Sequence, residues 1–186
     1  MDNIATGEQR KLEFENTLLE LMQEMPYSKI TVTDLAERMH LVRKTFYHYF
    51  PGKDACLQSL TDRLILECSI DVLQALPPES SDQQVYEHQL RFWMLHRDFL
   101  QAILDNGLNS YFAERYLNYI LREELTAREH LRTTLVNCDE DVLYFYVTGL
   151  VFLLLKWCRE GFQLSPEEMA RKNHRLVREP LFRQNP

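Results

Sequence analysis

Apolar residues return every three or four positions along nearly all of this 186-residue chain. That period matches the 3.6 residues of an α-helical turn and fixes the fold class. The β-branched alternation of strands flanking a hairpin turn is absent, so an all-α protein is expected. The densest apolar run, "VLYFYVTGLVFLLLKWC" at residues 142–158, is interrupted only by Thr148, Gly149 and Lys156. At about 1.5 Å per residue it falls short of a bilayer core of about 30 Å, and acidic residues rather than a basic flank precede it. A helix buried on all sides is the expected reading.

Helices are expected over residues 9–25, 31–39, 43–50, 53–76, 82–97, 98–106, 109–137, 139–160 and 165–178. The first carries Phe14, Leu18, Leu21, Met22 and Met25 on one face and is stopped by Pro26. The second opens on Thr-Val-Thr-Asp, a capping box from Thr31. The last opens with Ser165 as N-cap, Pro166 at the first helical position and Glu168 closing a second box. Pro77-Pro78 and the polar residues after them form the clearest loop. The organisation is a trihelical unit at 1–53 and a larger helical body at 54–186.

Net charge is −7, so any polyanionic partner has to be met by a local patch. Such a patch exists. Residues 29–53 hold Lys29, Arg38, Arg43, Lys44 and Lys53 against Asp34 and Glu37, a balance of +3. On the short helix at 43–50, Phe46 and Phe50 fall on an inner side with Val42 and Tyr49 near them. Arg43, Lys44, Tyr47 and His48 share the outer side, where two cations, a phenol and an imidazole have no packing role. A helix that reads base edges needs such groups. Lys53 at the start of the next helix, and Thr31 and Thr33 at the start of the second, are placed to meet phosphates.

The stretch "ITVTDLAERMHLVRKTFYHYFPGKDACL" resembles the DNA-binding region of the Tet repressor family of bacterial regulators, over about a quarter of the chain. The end "WCREGFQLSPEEMA" is similar to the group of that family that includes regulators of dihydroxyacetone kinase operons. The resemblance implies a helix-turn-helix unit joined to a ligand-binding and dimerisation body. It assigns Arg43, Lys44 and His48 to base edges, Thr45 to bases or phosphate, and Tyr47, Tyr49, Lys53 and Thr33 to phosphates. Two positions depart from the family pattern: His40 stands where a turn glycine is usual, and Val42 where a capping serine is usual. The implied partners are a palindromic double-stranded operator, a second copy of the chain and a small-molecule effector.

A short recognition helix reads few base pairs, so two copies spaced by whole DNA turns are expected. The surface expected to join them uses Gly149, Leu150, Leu153 and Trp157 of the apolar helix with Met169, Asn173 and Leu176 of the last helix, as a four-helix interface. Trp93, His96, Phe99, Tyr111, Tyr116 and Tyr146 are the candidate lining of an effector cavity. Histidine spacing offers no metal site, no cofactor is implied, and no catalytic motif appears, so an enzyme is not expected. Cys56, Cys68, Cys138 and Cys158 form no CxxC pair and read as reduced thiols. The N-terminus lacks the pattern of a secretory signal, and a cytoplasmic, DNA-binding repressor is the expected protein. A helical adaptor of the same fold, acting through protein partners, is the alternative. It is motivated by His40, Val42 and the net negative charge, and countered by the basic outer face of the short helix.

Overall fold

The computed structural model describes residues 2–122 and 139–178, which hold nine α-helices, one 3₁₀ turn and no strand. In chain order they are α1 (Asp2–Glu24), the 3₁₀ turn (Tyr27–Lys29), α2 (Val32–Arg38), α3 (Arg43–Tyr49), α4 (Lys53–Ala75), α5 (Asp82–Leu95), α6 (Arg97–Asp105), α7 (Asn109–Arg122), α8 (Glu140–Arg159) and α9 (Pro166–Arg178). The first helix starts seven residues before its expected start at residue 9, because the polar lead-in continues the helix without an apolar period of its own. Of the helix expected at 109–137, the part after 122 lies outside the described residues.

Both expected capping boxes form. Thr31 Oγ1 accepts from the Asp34 amide (3.2 Å), while the Asp34 carboxylate accepts from the Thr31 amide (2.7 Å). Ser165 and Glu168 repeat the exchange at α9, at 3.2 and 2.8 Å.

Two buried clusters organise these helices. In the N-terminal one, Phe14 of α1 meets Phe46 of α3 edge-on at 5.1 Å, with Phe50, Leu18, Leu35 and Ile30 around them. The larger one centres on Trp93, Phe99 and Phe112 and includes Leu64 and Cys68 of α4, Leu154 and Trp157 of α8, and Met169 of α9. Helix α4 serves both, giving Cys56 and Leu57 to the first and Leu60 through Cys68 to the second. Charged pairs brace the same helix: the buried Glu15 carboxylate of α1 accepts from Ser59 Oγ and Arg63 Nε of α4, both at 2.6 Å, and Arg115 of α7 donates to Asp62 at 2.8 Å. α4 is thus a rigid connection between the two clusters.

Helix α8 departs from the expectation of burial on all sides. It is long and apolar enough to cross a membrane by length and composition alone. Leu143, Val147, Val151, Leu154, Leu155, Trp157 and Cys158 face the protomer, but Val142, Phe145 and Phe152 are exposed. These three recur with Gly149 at spacings of three and four, so they form one apolar stripe on the outer side.

Candidate nucleic-acid interface and effector cavity

The turn before α3 is set by local chemistry. His40 adopts φ 55°, the left-handed conformation at the end of α2 that glycine takes most readily, and the Leu41 amide reaches back to the Ala36 carbonyl at 2.8 Å. The chain then enters α3 at Val42, which has extended backbone and no capping side chain, so the missing hydroxyl leaves the first amides of α3 open. Val42 stands 69% exposed, which corrects its expected place beside the inner set: as the N-cap it lies outside the helical period that turns Phe46 inward.

Arg43, Lys44, Tyr47 and His48 are all exposed together on α3, opposite buried Phe46. The Arg43 guanidinium donates to the Tyr47 hydroxyl at 3.3 Å and lies 5.9 Å from its ring centre, which links a cation to a phenol on the outer surface. Thr45 is half-buried at the edge of this face. Tyr49 is half-buried, 6.0 Å from the Phe14 ring. Thr31 is exposed and Thr33 half-buried at the start of α2, with the Thr31 hydroxyl engaged by Asp34 at 2.7 Å.

Two expected cations have partners within the protomer. Lys53 is turned inward: its ammonium donates to the carbonyls of Tyr27 (2.7 Å) and Ile30 (2.8 Å) and sits 4.4 Å from the Tyr27 ring. The Tyr27 carbonyl also accepts from the Ile30 amide at 3.2 Å, so the ammonium adds a second donor there, and two of its three donors are spent inside the protomer. Arg38 is paired with Glu24 (2.9 Å), which holds the Glu24 carboxyl below its ordinary range. Tyr27 also donates to Asp54, and burial together with that carboxylate pushes the phenol well above its ordinary value. At the same junction Asn106, at the end of α6, accepts from the Tyr27 amide at 2.5 Å and donates to the Met22 carbonyl at 3.2 Å. The larger body therefore grips the N-terminal unit at the turn between α1 and α2.

Away from this face, a cavity of about 50 Å³ lies between α5, α7 and α8. Tyr86, Leu90 and Trp93 come from α5, Tyr116 and Ile120 from α7, and Tyr146, Leu150 and Leu154 from α8. Of the expected lining residues, Trp93, Tyr116 and Tyr146 are there and three are elsewhere. His96 stacks on Phe92 at 4.1 Å and bonds the Phe92 carbonyl through Nδ1 at 2.9 Å, closing the α5–α6 corner. Phe99 is buried between Trp93 and Phe112, and Tyr111 packs against the N-terminal cluster. Sequence reasoning missed Tyr86 and Gln89, whose signal was only their place on the same face of α5 as Trp93, seven and four residues before it. Burial pushes the Tyr86 and Tyr116 phenols well above their ordinary values, so both stay neutral. The Cys68 thiol of α4 sits beside Trp93 and Tyr116 and is pushed up to about 12 by burial.

The expected dimer residues divide as well. Gly149 and Leu176 are exposed and Leu153 is half-buried, while Leu150 lines the cavity. Trp157, Met169 and Asn173 are buried in the protomer's own core, which removes them from any partner surface. The Trp157 indole donates to the Leu164 carbonyl at 3.1 Å, and the Asn173 amide donates to the Tyr86 hydroxyl at 2.7 Å. No group of three or more His, Cys, Asp or Glu able to hold a metal ion occurs among the described residues.

Comparison with known proteins joins both halves of this architecture. Residues 16–60 match the family of bacterial regulatory proteins, tetR family, and residues 81–179, more than half of the chain, match a transcriptional regulator C-terminal region. The HTH-type transcriptional regulator EthR of Mycobacterium tuberculosis (strain ATCC 25618 / H37Rv) is 36% identical over 77 residues, which are 41% of this chain and 35% of EthR. YxbF of Bacillus subtilis (strain 168), an uncharacterized HTH-type transcriptional regulator, is 22% identical over 185 residues, 94% of this chain and 46% of YxbF. The match therefore spans about a third to a half of these relatives' length.

Two solved structures share the fold. The fatty acid degradation regulator FadR from Bacillus halodurans superposes with a TM-score of 0.62 at 15% identity, over 94% of this chain and 97% of its own. Thermus thermophilus FadR, a transcriptional repressor in complex with lauroyl-CoA, gives 0.51 at 18% identity, over 95% and 97%. With a reading helix at one end, a helical body at the other and matches to both, this chain belongs to the TetR family of bacterial transcriptional regulators.

Proposed function

We propose that this chain is a homodimeric repressor that binds a palindromic operator through α3 and releases it when a small molecule enters the cavity between α5, α7 and α8. The exposed Arg43–Lys44–Tyr47–His48 face carries this reading, because a surface of two cations, a phenol and an imidazole opposite a buried Phe46 suits the major groove. Arg43, Lys44 and His48 meet base edges, Thr45 a base or phosphate, and Tyr47 and Tyr49 the backbone, with Thr31 and Thr33 at the adjacent helix start. The unit ends near residue 53, where α4 begins.

Half-sites about 34–36 Å apart require two copies held in fixed geometry. The outer stripe of α8, Val142, Phe145, Gly149 and Phe152, with Leu176 of α9, suits that contact. A side chain built at Gly149 meets nothing within 4 Å in the protomer, so the surface there is open to a close helix approach.

The cavity is smaller than the roughly 150 Å³ site that takes up benzene in an engineered core, so an effector has to part the helices around it. Cys68 of α4 lies against Trp93 and Tyr116, so a widened cavity moves α4 and with it the spacing of the two recognition helices. The apolar lining suits the hydrocarbon portion of an effector, and the lauroyl-CoA held by Thermus thermophilus FadR has such a portion in its lauroyl chain.

The test is a pull-down of genomic fragments by the intact protein, followed by sequencing, with the Lys44→Ala, Tyr47→Ala double variant as control. Enrichment of a palindromic site by the parent and its loss in the double variant is the expected result. Equal enrichment by both would reject the α3 face; absence of any enriched site would favour an adaptor that works through protein partners.

A further inference from the structure

We propose that the cavity selects an uncharged ligand that presents a hydrogen-bond acceptor, such as a carbonyl oxygen, to the indole N–H of Trp93. This rests on the reading of the cavity as the effector site and adds the chemistry of what enters it.

Trp93 is 1% exposed, it lines the cavity, and its Nε1–H makes no hydrogen bond of proper geometry, although the Tyr116 hydroxyl and the Cys68 thiol lie beside it. Buried donors are nearly always paired, so an orphan at a cavity wall marks a place for a missing acceptor. Indole can only donate, and the incoming atom must therefore accept. The surroundings then decide the ligand's charge. Among the described residues, no Lys, Arg, His, Asp or Glu lines the cavity. A carboxylate would accept from Trp93 but would lose its water with no cation to replace it, and an ammonium would lose its water with no carboxylate in reach.

The other polar edges are neutral. Tyr86 stays protonated and accepts from Asn173 at 2.7 Å, and Tyr116 stays protonated beside Cys68. Leu90, Ile120, Val151 and Leu154 complete an apolar wall that suits the ligand's hydrocarbon portion. A neutral carbonyl compound meets all three conditions: it supplies an acceptor, it carries no charge into the site and it fills apolar volume.

The chain's two tryptophans give a direct readout. The Trp157 indole is already bonded to the Leu164 carbonyl and serves as an internal reference. Nitrogen-15-labelled full-length protein is titrated with 2-hexanone, hexanoate and hexylammonium at pH 7, and the two indole N–H resonances are followed by NMR. The expected result is a saturable shift of the Trp93 resonance with 2-hexanone alone, while the Trp157 resonance stays in place. Trp93→Phe keeps a ring but removes the donor, and it should weaken 2-hexanone binding by about tenfold, the worth of one hydrogen bond. An unmoved Trp157 resonance in that variant reports an intact core.

The proposal is overturned if either charged probe shifts Trp93 as strongly as the ketone, if the ketone leaves it fixed, or if Trp93→Phe retains full affinity. The same samples are assayed for release of the DNA fragment enriched in the pull-down. A ketone that shifts Trp93 without releasing DNA supports the ligand class and defeats the effector reading. A charged compound that occupies the cavity and releases DNA defeats the ligand class and leaves the effector reading standing.

Discussion

The outer face of α3 and the outer face of α8 are both left open by the protomer, and their chemistry is opposite. On α3 the exposed groups are Arg43, Lys44, Tyr47 and His48; on α8 they are Val142, Phe145 and Phe152 beside Gly149. Charges held in water suit a polyanion and make an interaction that salt weakens. Hydrocarbon held in water suits another apolar surface and makes one that salt leaves nearly unchanged. One fold thus presents two unfinished surfaces, and the kind of atom exposed on each distinguishes a nucleic-acid contact from a self-contact.

The strongest way to break this pairing is to place charge on the apolar face. Aromatic anchors at the centre of an interface are each worth about 2 kcal/mol or more. Phe145→Asp with Phe152→Asp should raise the dimer dissociation constant by about a thousandfold, read by sedimentation, while helical content stays that of the parent because both side chains are exposed. A double variant that remains a dimer at micromolar concentration would show that the contact uses another surface. DNA affinity should fall along with dimerisation, because each half-site then binds alone.

Removing a charge from the other face has a smaller effect of a different kind. Lys44→Ala should weaken operator binding by about 1–3 kcal/mol if Lys44 reaches a base edge. If it meets a phosphate instead, the slope of log affinity against log salt should become shallower by about 0.9 for each protomer. Titrations between 50 and 200 mM salt separate the two. A variant with parental affinity and slope removes Lys44 from the interface, and the dimer constant should not change in either case.

The same contrast explains what the sequence made legible. The α3 face comes from one continuous run, "RKTFYHYF", so helical period alone separates buried Phe46 from the outer set. The second run, "VLYFYVTGLVFLLLKWC", is apolar on both sides, and period cannot tell the side facing the protomer from the side left open. Period therefore assigns Trp157 to a partner that it cannot reach and passes over Phe145, which recurs with Gly149 and Phe152 on the open side. The cavity was half legible: Trp93, Tyr116 and Tyr146 were recognised as aromatic residues, but their meeting with Tyr86 and Gln89 depends on how three helices cross. The inward bonds of Lys53 were illegible for a third reason. A lysine at a helix start suits a phosphate in sequence, and only the fold brings the carbonyls of Tyr27 and Ile30 within 2.8 Å of it.

The presentation of α3 also rests on the capping box before it. Thr31→Ala removes the hydroxyl that accepts from the Asp34 amide and should cost about 1 kcal/mol in urea unfolding. Its partner adds a small pH dependence. Hydrogen bonds from the Thr31 hydroxyl and amide lower the Asp34 pKa below 3.8 in the folded chain. A carboxyl with a depressed folded value adds stability above its unfolded pKa and loses it as pH falls through the folded value. The contribution should therefore be complete at pH 6 and fade below about pH 4, reduced by solvent screening because Asp34 is near the surface. Asp34→Asn should flatten that acid limb; a limb of unchanged shape would mean that other carboxyls set it.

The smallest effect is expected at the turn that aims α3, where the two open faces differ in support as well as in chemistry. Helix α8 begins under the side chain of Asp139 and ends on Gly161 at φ 72°, a conformation that glycine adopts without strain. Helix α3 begins at uncapped Val42 after a left-handed His40 at φ 55°. Left-handed backbone costs a residue with a Cβ roughly 1 kcal/mol, and His40→Gly removes that cost. Glycine also widens the unfolded ensemble, which takes back about 0.4–1 kcal/mol, so the net change should be a gain of a few tenths of a kcal/mol at most. His40→Ala retains the Cβ and loses the tolerance that His shares with Asn and Asp, so it should be less stable than the parent. Urea midpoints ordered Gly at or above His, with Ala lowest, would confirm strain at the turn; alanine equal to glycine would place the departure from the family pattern outside the backbone altogether.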